Sequence, residues 1–189
     1  MPETPSSMLE LDTPAPSFSL PDVVSGRTIS LPQFSGMRGL LVMFLCSHCP
    51  FVKHVEPEVA RLGYDYAVNG LGIVGISSND AVAYPEDAAA GLRAQAQRCR
   101  FTFHYLYDET QEVAKAFQAA CTPDFFLFDS GMKLVYRGQL DGSRPSNNIP
   151  VDGHDLRAAI ELVMAGRPVP AEQQQPSIGC AITWKKVSA

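Results

Sequence analysis

The sequence predicts an α/β fold: a central mixed sheet flanked by helices, with an N-terminal β-hairpin extension and a C-terminal tail. Three observations carry this. Leu40-Leu41-Val42-Met43-Phe44-Leu45 is an unbroken apolar run, the pattern of a strand buried on both faces of a sheet. An amphipathic stretch, Phe51 to Val68, follows it, and Leu71 to Ser77 is a second buried run. Strand, helix and strand in that order form a βαβ unit, so the two strands should be adjacent and parallel. Finally, short strand-like runs flank Ser25-Gly26 and Asp129-Ser130-Gly131, and both turns call for hairpins.

Taken in order, residues 1–17 are rich in Pro, Ser and Thr and read as an extended lead-in, poorly ordered at its start. Phe18-Ser19-Leu20 and Arg27 to Leu31 form the first hairpin. After the central strand, Pro50 falls in the first helical turn, where a missing N–H is harmless. Pro57 lies deeper and should kink the helix or start a fresh segment. Ser78-Asn79-Asp80 closes the second buried strand. Pro85 to Arg98 has helical composition, and Phe103 to Tyr107 is a short aromatic strand. Asp108 should cap a helix over Glu109 to Ala119, with Glu109 and Glu112 well placed for the dipole. Phe125 to Phe128 and Lys133 to Arg137 are the arms of the second hairpin. Residues 138–152 read as a long loop and His154 to Met164 as the last helix, stopped by Gly166-Arg167-Pro168. Residues 167–189 show no usable periodicity.

Bulk properties limit the function classes. A chain of 189 residues buries an ample core without staples. With 46% hydrophobic and 19% charged residues it has the composition of an ordinary soluble domain. A net charge of −5 and the lack of any basic block argue against nucleic acid as a partner. No apolar run is long enough to span a bilayer, and Met1 to Leu11 lacks the regions of a signal peptide. The expected address is therefore cytoplasmic, with no membrane partner. There, five cysteines are not expected to be a disulfide framework, and a Cys-x-x-Cys is redox-active or metal-binding.

That motif is Cys46-Ser47-His48-Cys49, followed by Pro50. A strand that delivers it to a helix start places the sulfurs near unpaired N–H groups and a partial positive charge, both of which favour thiolate over thiol. A second motif, Cys121-Thr122-Pro123-Asp124, stands immediately before an aromatic strand.

With these two motifs the chain resembles the thioredoxin superfamily, and within it the thioredoxin-like proteins that share the AhpC/TSA (peroxiredoxin-related) domain. The opening hairpin from Pro16 to Phe34 is similar to that of AhpC/TSA-type domains. The resemblance covers residues 14–165, which divides the chain into a lead-in (1–13), a thioredoxin-like domain (14–165) and a C-terminal extension (166–189). It implies that Cys46 is the more exposed attacking nucleophile and Cys49 the buried resolving thiol. It also implies that Thr122-Pro123 is a cis-proline loop, offering backbone groups to an extended substrate. His48 occupies a slot that is also His in protein disulfide isomerase, where an imidazole favours the Cys46 thiolate. Asp141 to Asn148 with the Gly179-Cys180 ending resembles a peroxiredoxin-like subgroup.

There are departures. Leu45 replaces the family's Trp, which alters the substrate-facing surface. The peroxiredoxin Thr three residues before the cysteine is absent, since Met43 stands there. The expected function is therefore a thiol–disulfide oxidoreductase that needs no cofactor, acting on a protein or small-thiol disulfide with a thiol reductant. A thiol-dependent peroxidase using Cys46 is the first alternative. The second is a non-catalytic module that binds a partner, or holds zinc through Cys46, Cys49 and His48 or Cys180; one Cys-x-x-Cys is a poor zinc signal. Cys99, Cys121 and Cys180 are expected to be small buried hydrophobes.

Overall fold

The computed structural model describes residues 3–172 and 174–186. In chain order its elements are strand β1 (Glu3–Pro5), hairpin strands β2 (Ser19–Pro21) and β3 (Thr28–Ser30), strand β4 (Gly39–Phe44) and helix α1 (Pro50–Tyr66). Then come β5 (Leu71–Ser77), α2 (Ala89–Cys99), β6 (His104–Tyr107) and the short helix α3 (Glu112–Ala116). The chain ends with β7 (Cys121–Thr122), β8 (Asp124–Asp129), β9 (Leu134–Gly138), α4 (His154–Met164) and β10 (Ile178–Ala181).

The central sheet has the order β6-β5-β4-β8-β9. β4 and β5 are adjacent and parallel, with Gly39 opposite Leu71 and Phe44 opposite Ile76. β8 runs antiparallel along the other edge of β4, which makes the sheet mixed. Every residue of β4 is buried, and the two-residue period sends its side chains into two separate cores. Leu41 and Met43 face α1, α2 and α4, where they meet Val52, Val59, Leu92 and Ile160. Leu40, Val42 and Phe44 face the hairpin and α3, packing with Leu20, Ile29, Ala114 and Phe117. The helix-side core sets the depth of α1, and with it the position of the residues at its start.

Three local expectations are corrected. α1 continues through Pro57 as one helix, and no fresh segment begins there. The helix expected over Glu109 to Ala119 shrinks to α3, because Gln111 adopts a left-handed φ of 66° ahead of it. Asp108 still caps it from a distance, accepting the Ala114 N–H at 2.9 Å. The expected helix from Pro85 divides into a 3-10 turn, Pro85–Asp87, and α2.

The chain ends supply what no periodicity indicated. β10 lies between β1 and β7 in a second, three-stranded antiparallel sheet. The lead-in, expected to be poorly ordered at its start, is a strand from Glu3; residues 1–2 lie outside the described residues. No helix among the described residues is long and apolar enough to cross a membrane.

Candidate active site

Two strand ends and one helix start converge on the Cys-x-x-Cys. β4 continues one residue further through the Leu45 N–H, which donates to Ile76 O at 2.9 Å. Cys46 follows, and its carbonyl accepts from Gln95 Nε2 of α2 at 2.9 Å. Gln95 is itself fixed, because its Oε1 accepts the Tyr105 hydroxyl at 2.9 Å. Cys49 is the N-cap of α1, with Pro50 as first helical residue, as the sequence led one to expect. Across from them the Thr122–Pro123 peptide bond is cis, which agrees with the family resemblance. Thr122 Oγ1 lies 3.2 Å from Cys46 Sγ, and Thr122 O lies 3.3 Å from Cys49 Sγ. The structure thus brings Cys46, Cys49, Thr122 and Pro123 together.

The expected difference in exposure is absent, and this corrects the reading of Cys46 as the open sulfur. Both Cys46 and Cys49 have 0% exposure. Leu45, read as part of a substrate-facing surface, is likewise fully buried, in the helix-side core. Burial, the Cys49 sulfur and the Asp87 charge push the Cys46 thiol up. Cys49 moves the other way. Its contact with the Cys46 sulfur, opposed by burial and then aided by the Cys180 sulfur, brings it down to about 5.

His48 is tied back rather than left to act alone. Its Nδ1 lies 2.5 Å from Asp87 Oδ2, and its ring stacks on Tyr84 at 3.8 Å between centroids. Asp87 is fully buried and accepts the N–H groups of Ser47 (2.7 Å) and His48 (3.2 Å) and the Asn79 amide (2.9 Å). Burial alone would raise its pKa; the bonds from His48, Asn79 and Ser47 outweigh that and hold it below the usual carboxylate range. An imidazole expected to favour a Cys46 thiolate thus arrives with a counter-charge that opposes one. Asp87 escaped the sequence reading because it pairs with the loop across 40 residues, and nothing in Pro85-Glu86-Asp87 marks that pairing.

Cys180, expected as a small buried hydrophobe or as an alternative zinc ligand, lies against the pair. Its sulfur lies 2.7 Å from Cys49 Sγ, and it stands opposite Thr122 in the β10–β7 register. The edge of Thr122 expected to receive a substrate strand is paired with the chain's own tail. Of the remaining cysteines, Cys121 is buried with its thiol pushed up by burial. Cys99 is half-buried and pushed up to about 11 by burial and Glu56. Among the described residues, Cys46, His48 and Asp87 bring a thiol, a ring nitrogen and a carboxylate within 4.8 Å of one another. Tetrahedral zinc takes four ligands, and the Asp87 carboxylate is already engaged by the loop.

A mixed sheet with β4 ending in Cys-x-x-Cys at a helix start, opposite a cis-proline, defines the thioredoxin-like class. The chain belongs to the AhpC/TSA family, which residues 11–137 match. It is similar to an uncharacterized conserved protein from Geobacillus kaustophilus, at 51% identity over 100% of this chain and 99% of that one, with a TM-score of 0.96. A hypothetical protein from Sinorhizobium meliloti 1021 is 45% identical over 96% of this chain and 98% of that one, with a TM-score of 0.93. The thioredoxin domain of a thiol-disulfide oxidoreductase from Bacteroides vulgatus shares the fold at 20% identity (81% and 96% covered, TM-score 0.62). No curated protein matches the sequence.

Proposed function

We propose that the protein is a thiol–disulfide oxidoreductase in which Cys46 attacks a protein or small-molecule disulfide and Cys49 resolves the mixed disulfide. The observation that carries this reading is the placement of both Cys-x-x-Cys sulfurs between the end of β4 and the start of α1, each within 3.3 Å of Thr122 in the cis-proline loop. As a disulfide approaches, Cys46 loses its proton and attacks as thiolate. The first leaving thiolate takes up that proton. Cys49 then attacks Cys46 Sγ, releases the second thiolate and leaves a Cys46–Cys49 disulfide. The hydroxyl of Thr122, 3.2 Å from Cys46 Sγ, steadies Cys46. His48, clamped by Asp87 and Tyr84, is a positioning residue that orders the loop between the cysteines. A cytosolic thiol reductant returns the pair to the dithiol form. No cofactor enters these steps.

The test is a pair of variants. Cys49→Ser should leave the first attack intact and trap a mixed disulfide with the substrate, while Cys46→Ser should form none. Equal loss of first-step reactivity in both, with no trapped species, removes the assignment of attacker and resolver.

One observation favours peroxide reduction as a second reading. Met43, where a peroxiredoxin Thr is expected, is buried in the core, but Thr122 supplies a hydroxyl 3.2 Å from Cys46 Sγ from the cis-proline loop instead. Peroxide consumption with a thiol donor separates the two readings.

A further inference from the structure

Cys49 is the middle of three sulfurs. Cys46 is its Cys-x-x-Cys partner on one side and Cys180 stands 2.7 Å away on another, while a disulfide bond measures about 2.05 Å. Cys180 is placed by structure on both flanks of β10, opposite Glu3 of β1 and Thr122 of β7. The tail is then pinned beyond it. The Thr183 N–H donates to Asn79 Oδ1 at 2.9 Å, and Thr183 O accepts from the Asp80 N–H at 2.9 Å. Only glycine lets β10 come this close to the cis-proline loop, since a Cβ on Gly179 would lie 2.0 Å from Thr122 O. Cys180 is 4% exposed, so its nearest reactive neighbour is Cys49 and not solvent.

We propose that Cys180 is a third redox-active cysteine of this site, taking over the disulfide from Cys46–Cys49 to close a Cys49–Cys180 bond beneath the tail. Cys180 loses its proton and its thiolate attacks Cys49 Sγ. The Cys49–Cys180 bond forms, the Cys46–Cys49 bond breaks, and Cys46 leaves as thiolate and takes up the proton. One disulfide and one thiol stand on each side, so no further oxidant is required beyond the disulfide substrate of the proposed function, on which this inference rests. The step frees Cys46 for another encounter and locks the tail onto the start of α1.

The experiment uses the full chain, reduced, then exposed to oxidised glutathione, quenched in acid at intervals, alkylated and mapped for cross-linked peptides. The wild-type protein should show the Cys46–Cys49 link first and the Cys49–Cys180 link growing at its expense. In Cys46→Ser the Cys49–Cys180 link should appear about tenfold more slowly or not at all, because the exchange route is closed. A wild-type map that holds only Cys46–Cys49 overturns the relay while sparing the proposed function. A map with neither link overturns both. Equal rates of Cys49–Cys180 formation with and without Cys46 also overturn the relay, since the bond then forms by direct oxidation. If Cys46→Ser does not fold, the order of appearance in the wild-type protein decides alone.

Discussion

Asp124 follows the cis-proline and has no exposed surface. The Ser6 hydroxyl (3.2 Å) and its own neighbour's N–H, that of Phe125 (3.1 Å), donate to it. Burial outweighs these bonds and pushes its pKa from the ordinary 3.8 up to about 7. Between those two values the folded chain holds a proton that the unfolded chain has released. The contribution of this group to stability is therefore full below about pH 4 and is lost as pH rises toward about 7. Asp124→Asn removes that slope. Relative to the variant, the wild-type protein should lose up to about 4 kcal/mol between these pH values, measured as urea-unfolding free energy at a series of pH. Parallel curves would show that the carboxyl titrates normally. Asp87 is the opposite case at the same scale: equally buried, but with three donors besides the His48 ring, so that its charge is retained. Neither behaviour is readable from Asp in a sequence, because the donors come from distant segments.

At the scale of elements, those with strong periodicity lie where the sequence put them. β4, β5, α4 and both hairpins are set by local apolar pattern and turn residues, and the long-range partners only select their neighbours. α3 is shorter than its propensity suggested because Gln111 serves the tail. Its amide donates to Ser78 O (2.6 Å) and Thr183 O (2.9 Å), and its Oε1 accepts the Lys185 N–H at 2.8 Å. β10 is the converse, a strand with no apolar alternation, held by backbone pairing on both edges. Its weak point is Gly179. In Gly179→Ala the new Cβ meets backbone at Thr122 O, so β10 must move away from the cis-proline loop. The expected cost is about 1–3 kcal/mol, read as a lower Tm. Faster alkylation of Cys49 and Cys180 should accompany it. An unchanged Tm and alkylation rate would mean that β10 does not press on Thr122.

For the whole molecule, strands β1 and β10, near the two chain ends, close over the candidate site. β1 pairs with β10, the Ser6 N–H donates to Ser177 O at 2.8 Å, and the Ser6 hydroxyl reaches Asp124. Deleting residues 1–6 should therefore speed hydrogen exchange at Ile178–Ala181 and alkylation of Cys180, while β4 and β5 keep their protection. Equal loss of protection in β4 would show that the end sheet and the central sheet open as one unit. The sequence by itself determined the α/β class, the central strand, and the delivery of Cys46 and Cys49 to a helix start, while the cis-proline loop facing them was implied by the family resemblance of Cys121 to Asp124. Each of these rests on residues close together in the chain, where a period of two or 3.6 and a turn residue leave a legible trace. Tertiary structure alone decided how the cysteines are covered and charged. Asp87 approaches from about 40 residues away and Cys180 from 131, through buried polar bonds and backbone pairing. Such contacts depend on where two segments meet in space, and a polar residue or a short unpatterned strand carries no local mark of its partner.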